Sequence, residues 1–155
     1  MSAAEHATKD WDRKDEWRKH GKDFLVTVSR HNQPGSSDPW EGPNRWAVYA
    51  YIYPKHPHFA AFDGPRLWQD ATSALPLHGG CSLLEYPMYE GKVTSVKVGA
   101  DYHHLHDDFT NCASRADAWE VFRDADELFA RLQQMTVDAA LAGGEQSQSK
   151  GANHE

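Results

Sequence analysis

Apolar residues alternate through residues 24–30, where Phe24, Val26 and Val28 fall on one face of an extended chain. Residues 45–53 are apolar or aromatic on both faces, the pattern of a strand in the middle of a sheet. Pro54 stops that strand. Two further strands, residues 81–86 and 93–99, flank a turn at 87–92 and predict a hairpin. Three helices are expected around these strands. The first runs over residues 10–21, capped by Asp10, carrying Trp11 and Trp17, and ended by Gly21. The second is short, within 65–74, with Pro65 in its first turn. The third opens at Ser114, with Asp117 three residues on as a variant capping box, and buries Trp119, Phe122, Leu128, Phe129 and Leu132. Asp124 and Glu127 mark a place where it kinks or restarts. The order αββαββα predicts an α+β domain: about four mostly antiparallel strands with helices on one face. Tyr49, Tyr51 and Tyr53 alternate on one side of the central strand, and a helix is expected to cover them.

Composition narrows this picture without changing it. The chain has 155 residues, enough for one core without disulfide staples. Residues 1–9 are expected to be disordered, 10–136 to form the domain, and 137–155 to be a helix end followed by a small, polar, disordered tail from 143. The absence of a signal-like or membrane-spanning apolar run predicts a cytoplasmic protein with reduced thiols. Cys81 and Cys112 are then core thiols or metal ligands. A net charge of -7 favours solubility and disfavours nucleic acid as a partner. Basic residues cluster near the N-terminus but are mixed with Asp10, Asp12, Asp15 and Glu16, as on a solvated, ion-paired helix.

The unusual chemistry is histidine, of which there are ten. They concentrate around His56 and His58, around His78-Gly-Gly-Cys81, and in the run Asp101-Tyr-His-His-Leu-His-Asp-Asp108. A hairpin brings the start of its first strand beside the end of its second, so His78 and Cys81 should lie near residues 103–108. His56 and His58 join them only if the central strand runs antiparallel to the first strand of the hairpin; a crossover through 65–74 sends them to the opposite end. His78 and Cys81 have the spacing of a zinc knuckle, and His104, His106, Asp108 or Cys112 would complete a tetrahedral zinc set. His104-Leu-His106-Asp-Asp108 also matches the start of a metallo-β-lactamase motif, but Phe109 stands where the next histidine belongs. A nucleophilic Cys81 paired with His78 or His106 is a third reading. The fourth assigns these histidines to turns, carbonyls and solvent. Trp40, in a loop of proline and glycine, is either a loop anchor or an exposed contact residue.

The runs Trp46-Ala-Val-Tyr-Ala-Tyr-Ile-Tyr-Pro-Lys-His-Pro-His-Phe59, Leu75-Pro-Leu-His-Gly-Gly80 and Val98-Gly-Ala-Asp-Tyr-His-His-Leu-His-Asp-Asp108 resemble small uncharacterised proteins encoded by phages and prophages, over about residues 24–132. The resemblance implies no particular reaction and no catalytic residues. It implies a setting in which small acidic proteins bind and disable host machinery. A non-catalytic protein binding a host factor is the expectation; the alternative is a metal-dependent hydrolase built on His78, His104, His106 and Asp108.

Overall fold

The computed structural model describes residues 14–33, 40–63, 67–103 and 107–153. In chain order it forms β1 (Lys14–Gly21), β2 (Phe24–Asn32), β3 (Asn44–Ile52), a 3-10 turn (Phe59–Phe62), α1 (Leu67–Ser73), β4 (Leu83–Glu85), β5 (Met88–Tyr89), β6 (Lys92–Val93), β7 (Val96–Asp101), a second 3-10 turn (Phe109–Asn111) and α2 (Trp119–Asn153). Five strands make one antiparallel sheet in the order β1-β2-β3-β7-β4, while β5 and β6 form a small ribbon within the β4–β7 connection. The α+β class and the mostly antiparallel sheet agree with the apolar pattern. The count of about four strands does not.

The additional strand is β1, in the segment read as a helix. Residues 10–13 of that segment lie outside the described residues. From Lys14 the chain pairs with β2 in register, Trp17 opposite Val28 and Gly21 opposite Phe24. Only Trp17 is strongly apolar here, so no alternation was visible. Charged residues suit an edge strand, where they discourage pairing with other chains. Gly21 is no helix cap. A Cβ there would lie 2.1 Å from the Phe24 ring, so only glycine lets that ring fold across the end of the hairpin.

One face of the sheet carries the core. Phe24, Val26 and Val28 of β2, Trp46, Val48, Ala50 and Ile52 of β3, and Val96 and Val98 of β7 are all buried there. Across it lies α2, which buries Val121, Ala125, Leu128 and Leu132 at helical spacing. Its burial stripe differs from the expected one: Phe122 and Phe129 are partly covered, and Trp119 is 57% exposed. Nor does the helix break at Asp124 and Glu127. It runs on without interruption to Asn153. The Ser114 hydroxyl does accept the Asp117 N–H, 3.1 Å away, in the turn that leads into the helix.

The expectation of a helix over the tyrosines is overturned by parity. Trp46 and Ile52 point to α2, so Tyr49 and Tyr51, at odd positions, point to the other face. There Lys97 of β7 sits 4.5 Å from the Tyr49 ring centre and 5.4 Å from that of Tyr51. Burial raises the Tyr49 phenol above its ordinary range, an effect Lys97 partly offsets.

β3 and β4 are both antiparallel to β7 and therefore parallel to each other. That crossover, through α1, sends His56 and His58 to the end of the sheet remote from Asp101. Both are structural. The His58 backbone N–H donates to His56 Nδ1 at 3.0 Å, so that nitrogen is bare and Nε2 carries the proton it donates to the Leu132 carbonyl, also 3.0 Å away. His58 Nε2 donates in turn to the Ala71 carbonyl of α1 at 2.8 Å. Burial pushes both imidazoles below the ordinary histidine value of 6.5, more than the carbonyl contacts hold them up. Below that value the unfolded chain takes up protons that the fold resists. The stability these residues give is therefore full above about pH 6.5 and declines as pH falls. Urea denaturation at a series of pH values should show this decline. His56→Ala should lose about 1–3 kcal/mol at neutral pH, by stranding a buried carbonyl, and should flatten the decline.

Candidate functional site

At the other end of the sheet, where β3 begins and β7 ends, several polar side chains converge. The segment after β7 is stitched across this end. The Thr110 hydroxyl accepts the Gly42 N–H at 3.0 Å, and the Thr110 carbonyl accepts from the Asn44 amide at 3.1 Å. Buried Trp46 donates its indole N–H to the Cys112 carbonyl at 2.9 Å. Arg30, from β2, donates to the Ala113 carbonyl at 2.7 Å and pairs with Asp15 of β1. These bonds fix the loop that carries Trp40 and the loop that carries Asp107 and Asp108 against one another.

His78 is the centre of this end. Its Nε2 donates to the Asp107 carboxylate, 2.9 and 3.0 Å from the two oxygens. Its ring stacks on Tyr102 with centroids 4.2 Å apart and planes 11° from parallel, and it meets the edge of Phe109. Tyr102 is buried and donates its hydroxyl to Asp124 of α2 at 2.7 Å. Burial, with that acidic partner, pushes the phenol far above its ordinary range, so it stays protonated. The result is a continuous set, Asp107–His78–Tyr102–Asp124, that ties the 107 loop to the helix. Beside it, Glu41 bridges Arg45, at 3.0 Å, and His103.

The hairpin geometry thus brings His78 to the loop after β7, but the acid it meets is Asp107 and not Asp108. Asp108 is exposed and accepts from the Asn111 amide at 3.1 Å. The Cys81 thiol donates to the Leu83 carbonyl at 3.1 Å, within its own strand entry. Burial and nearby Asp117, Asp108 and Glu120 raise the Cys112 thiol above its ordinary value, which opposes the thiolate that metal ligation requires. His104 and His106 lie outside the described residues. Among the described residues no group of three or more His, Cys, Asp or Glu is arranged to hold a metal ion. No family model, curated protein or solved structure matches the chain.

Trp40 lies in the same region. Its carbonyl accepts from Asn111 at 3.2 Å, and its neighbour Glu41 is held by Arg45 and His103, yet Trp40 is 85% exposed. The Trp40 carbonyl is held while the residue as a whole stays exposed.

Two features were not visible in the sequence. Glu41 and Tyr102 join this end through contacts between distant segments, and no spacing signals them. A groove beside α2, lined by Arg115, Trp119, Phe122 and Arg123, was hidden because Trp119 was assigned to the core.

His78→Ala should remove the stack on Tyr102 and leave Asp107 without its imidazole donor, lowering stability by about 1–2 kcal/mol. Thermal melts of wild type and variant, with and without a chelator, check this. The expected loss is the same in both conditions, and a chelator-dependent midpoint for the wild type would show a bound metal instead.

Proposed function

We propose that the chain is a small binding protein of phage type that engages a host protein through exposed aromatic side chains, without catalysis. Trp40 carries this reading. An indole carries a large apolar area that is costly to leave in water. Here the Trp40 carbonyl and the Gly42 N–H are held by hydrogen bonds while Trp40 stays 85% exposed. Tryptophan held rigidly at a surface gives large contact area at low entropic cost, which is why it dominates interface energetics. The acidic charge of -7 keeps such a protein soluble while it exposes that ring. The polar set around His78 serves this reading as scaffold: it ties the Asp107 loop to α2, and Thr110 and Asn111 further along that loop bond to Gly42, Asn44 and Trp40.

Trp40→Ala should change stability by no more than about 0.5 kcal/mol, as for a surface substitution away from structural features. It should abolish capture of the partner from bacterial lysate by the immobilised full-length chain. Capture that survives the substitution unchanged would place the contact elsewhere on the surface.

A further inference from the structure

The edge of the sheet at β1 and the outer side of α2 form a second surface with its own chemistry. β1 is a terminal strand: among the described residues its only neighbour is β2. Its outer row of N–H and C=O groups is a template for one more strand, which would lie about 4.8 Å further out. α2 packs mainly on β2 and β3 and meets β1 through the side chains of Trp17 and Lys19, so a groove remains beneath that edge. Its floor is Trp17, Val28 and Phe122, and it continues along α2 past Trp119. Trp17 and Phe122 meet edge to face at 5.0 Å, which fixes the floor.

The charges at this groove are unequally satisfied. Lys19 pairs with Asp126 at 3.5 Å and Arg123 with Asp124 at 3.4 Å. Arg115 lies where the two stretches of groove join, its guanidinium 4.6 Å from the Phe122 ring centre, and no described carboxylate pairs with it; Glu127, the acid of the lining without an ion pair among the described residues, lies only on the stretch along α2, away from β1.

We propose that this groove binds an extended peptide segment of a partner protein, which adds to the sheet at β1 and carries a large apolar side chain together with an acidic one. The backbone edge dictates the extended form. In a strand, alternate side chains face the same way, so residues two apart would both point into the groove. The aromatic floor takes the apolar one, and Arg115 takes the carboxylate through a charge-assisted bond beside the ring. This site is separate from the Trp40 reading and stands without it.

The test uses the full-length chain and fluorescent eight-residue peptides of alternating threonine. One carries Phe and Glu two positions apart, a second Phe and Lys, a third Ala and Glu, and a fourth repeats the first with N-methylated backbone at alternate positions. Fluorescence anisotropy should show the Phe–Glu peptide binding about tenfold or more tightly than each of the others, the difference expected from losing one charged contact, one anchor or the ladder. Arg115→Glu, at an exposed position, should reverse the preference to the Phe–Lys peptide, and Trp40→Ala should leave it unchanged. Equal binding of the N-methylated peptide would overturn strand addition, and an unaltered preference in Arg115→Glu would overturn the role of Arg115. No binding by any peptide would overturn the proposal as a whole. So would a chain that sediments as a dimer and becomes monomeric on Trp17→Ala, since β1 would then be occupied by a second copy.

Discussion

Trp46 is where the parts of this molecule are joined. It stands on the central strand, 2% exposed, and its side chain touches three different segments. Its ring stacks on Trp17 of β1 with centroids 5.7 Å apart and meets the edge of Phe122 of α2 at 5.9 Å. Each such aromatic contact adds about 0.5–1.5 kcal/mol beyond burial of area. A buried indole N–H must also find an acceptor, and the one it finds is the Cys112 carbonyl in the loop before the helix. One side chain therefore sets the position of the edge strand, the angle of α2 and the path of the loop that closes the polar end. The groove at β1 and the anchored Trp40 loop both inherit their geometry from it.

The two ends of the sheet use histidine differently, and the crossover explains why. β3 parallel to β4 means that His56 and His58 emerge at one end and His78 at the other. At the first end the helices α1 and α2 present carbonyls, so neutral imidazoles with one protonated nitrogen are what fits. At the second end the loop after β7 presents a carboxylate, and His78 donates to it while lying flat on a tyrosine. The histidines that the sequence sets in three groups thus serve, among the described residues, as two unrelated structural devices. Those at the first end favour the fold at neutral pH and oppose it in acid.

How much of this was legible depends on whether the signal is local. The strands β2 and β3, the hairpin and the helix after Ser114 were legible because each carries its own pattern: alternation, a doubly apolar run, a turn, a cap. β1 was not. Its charges and its Asp10-to-Gly21 framing fit a helix as well, and what makes it a strand is pairing with β2 and the Trp17 stack on Trp46. Tertiary pairing overrides weak local preference in this way wherever a segment has one apolar residue to bury. Trp119 went wrong for the related reason that a helix has two apolar flanks when Val121, Ala125, Leu128 and Leu132 fill the inner face. The approach of His78 to the 107 loop followed from hairpin geometry, whereas the choice of Asp107 over its neighbour depends on side-chain direction that no spacing encodes.

The misreadings share a consequence for how the surface is organised. An aromatic residue assigned to the core, as Trp119 is by its helical spacing, disappears from any list of contact residues, yet Trp119 is exposed; Trp17, read as part of a helix, floors a groove. Both lie on the side where the sheet ends at β1. An edge strand is tolerated in a monomer only if it is charged, short or covered, and β1 relies on charge. Charge of that kind discriminates among incoming strands and does not exclude all of them, because the row of backbone groups beneath the side chains is the same for any partner. The aromatic floor supplies affinity, the edge supplies direction, and Arg115 supplies the sign of the charge accepted. The feature that hid β1 from a pattern-based reading, its mixture of charges around one tryptophan, is then the feature that would make it selective.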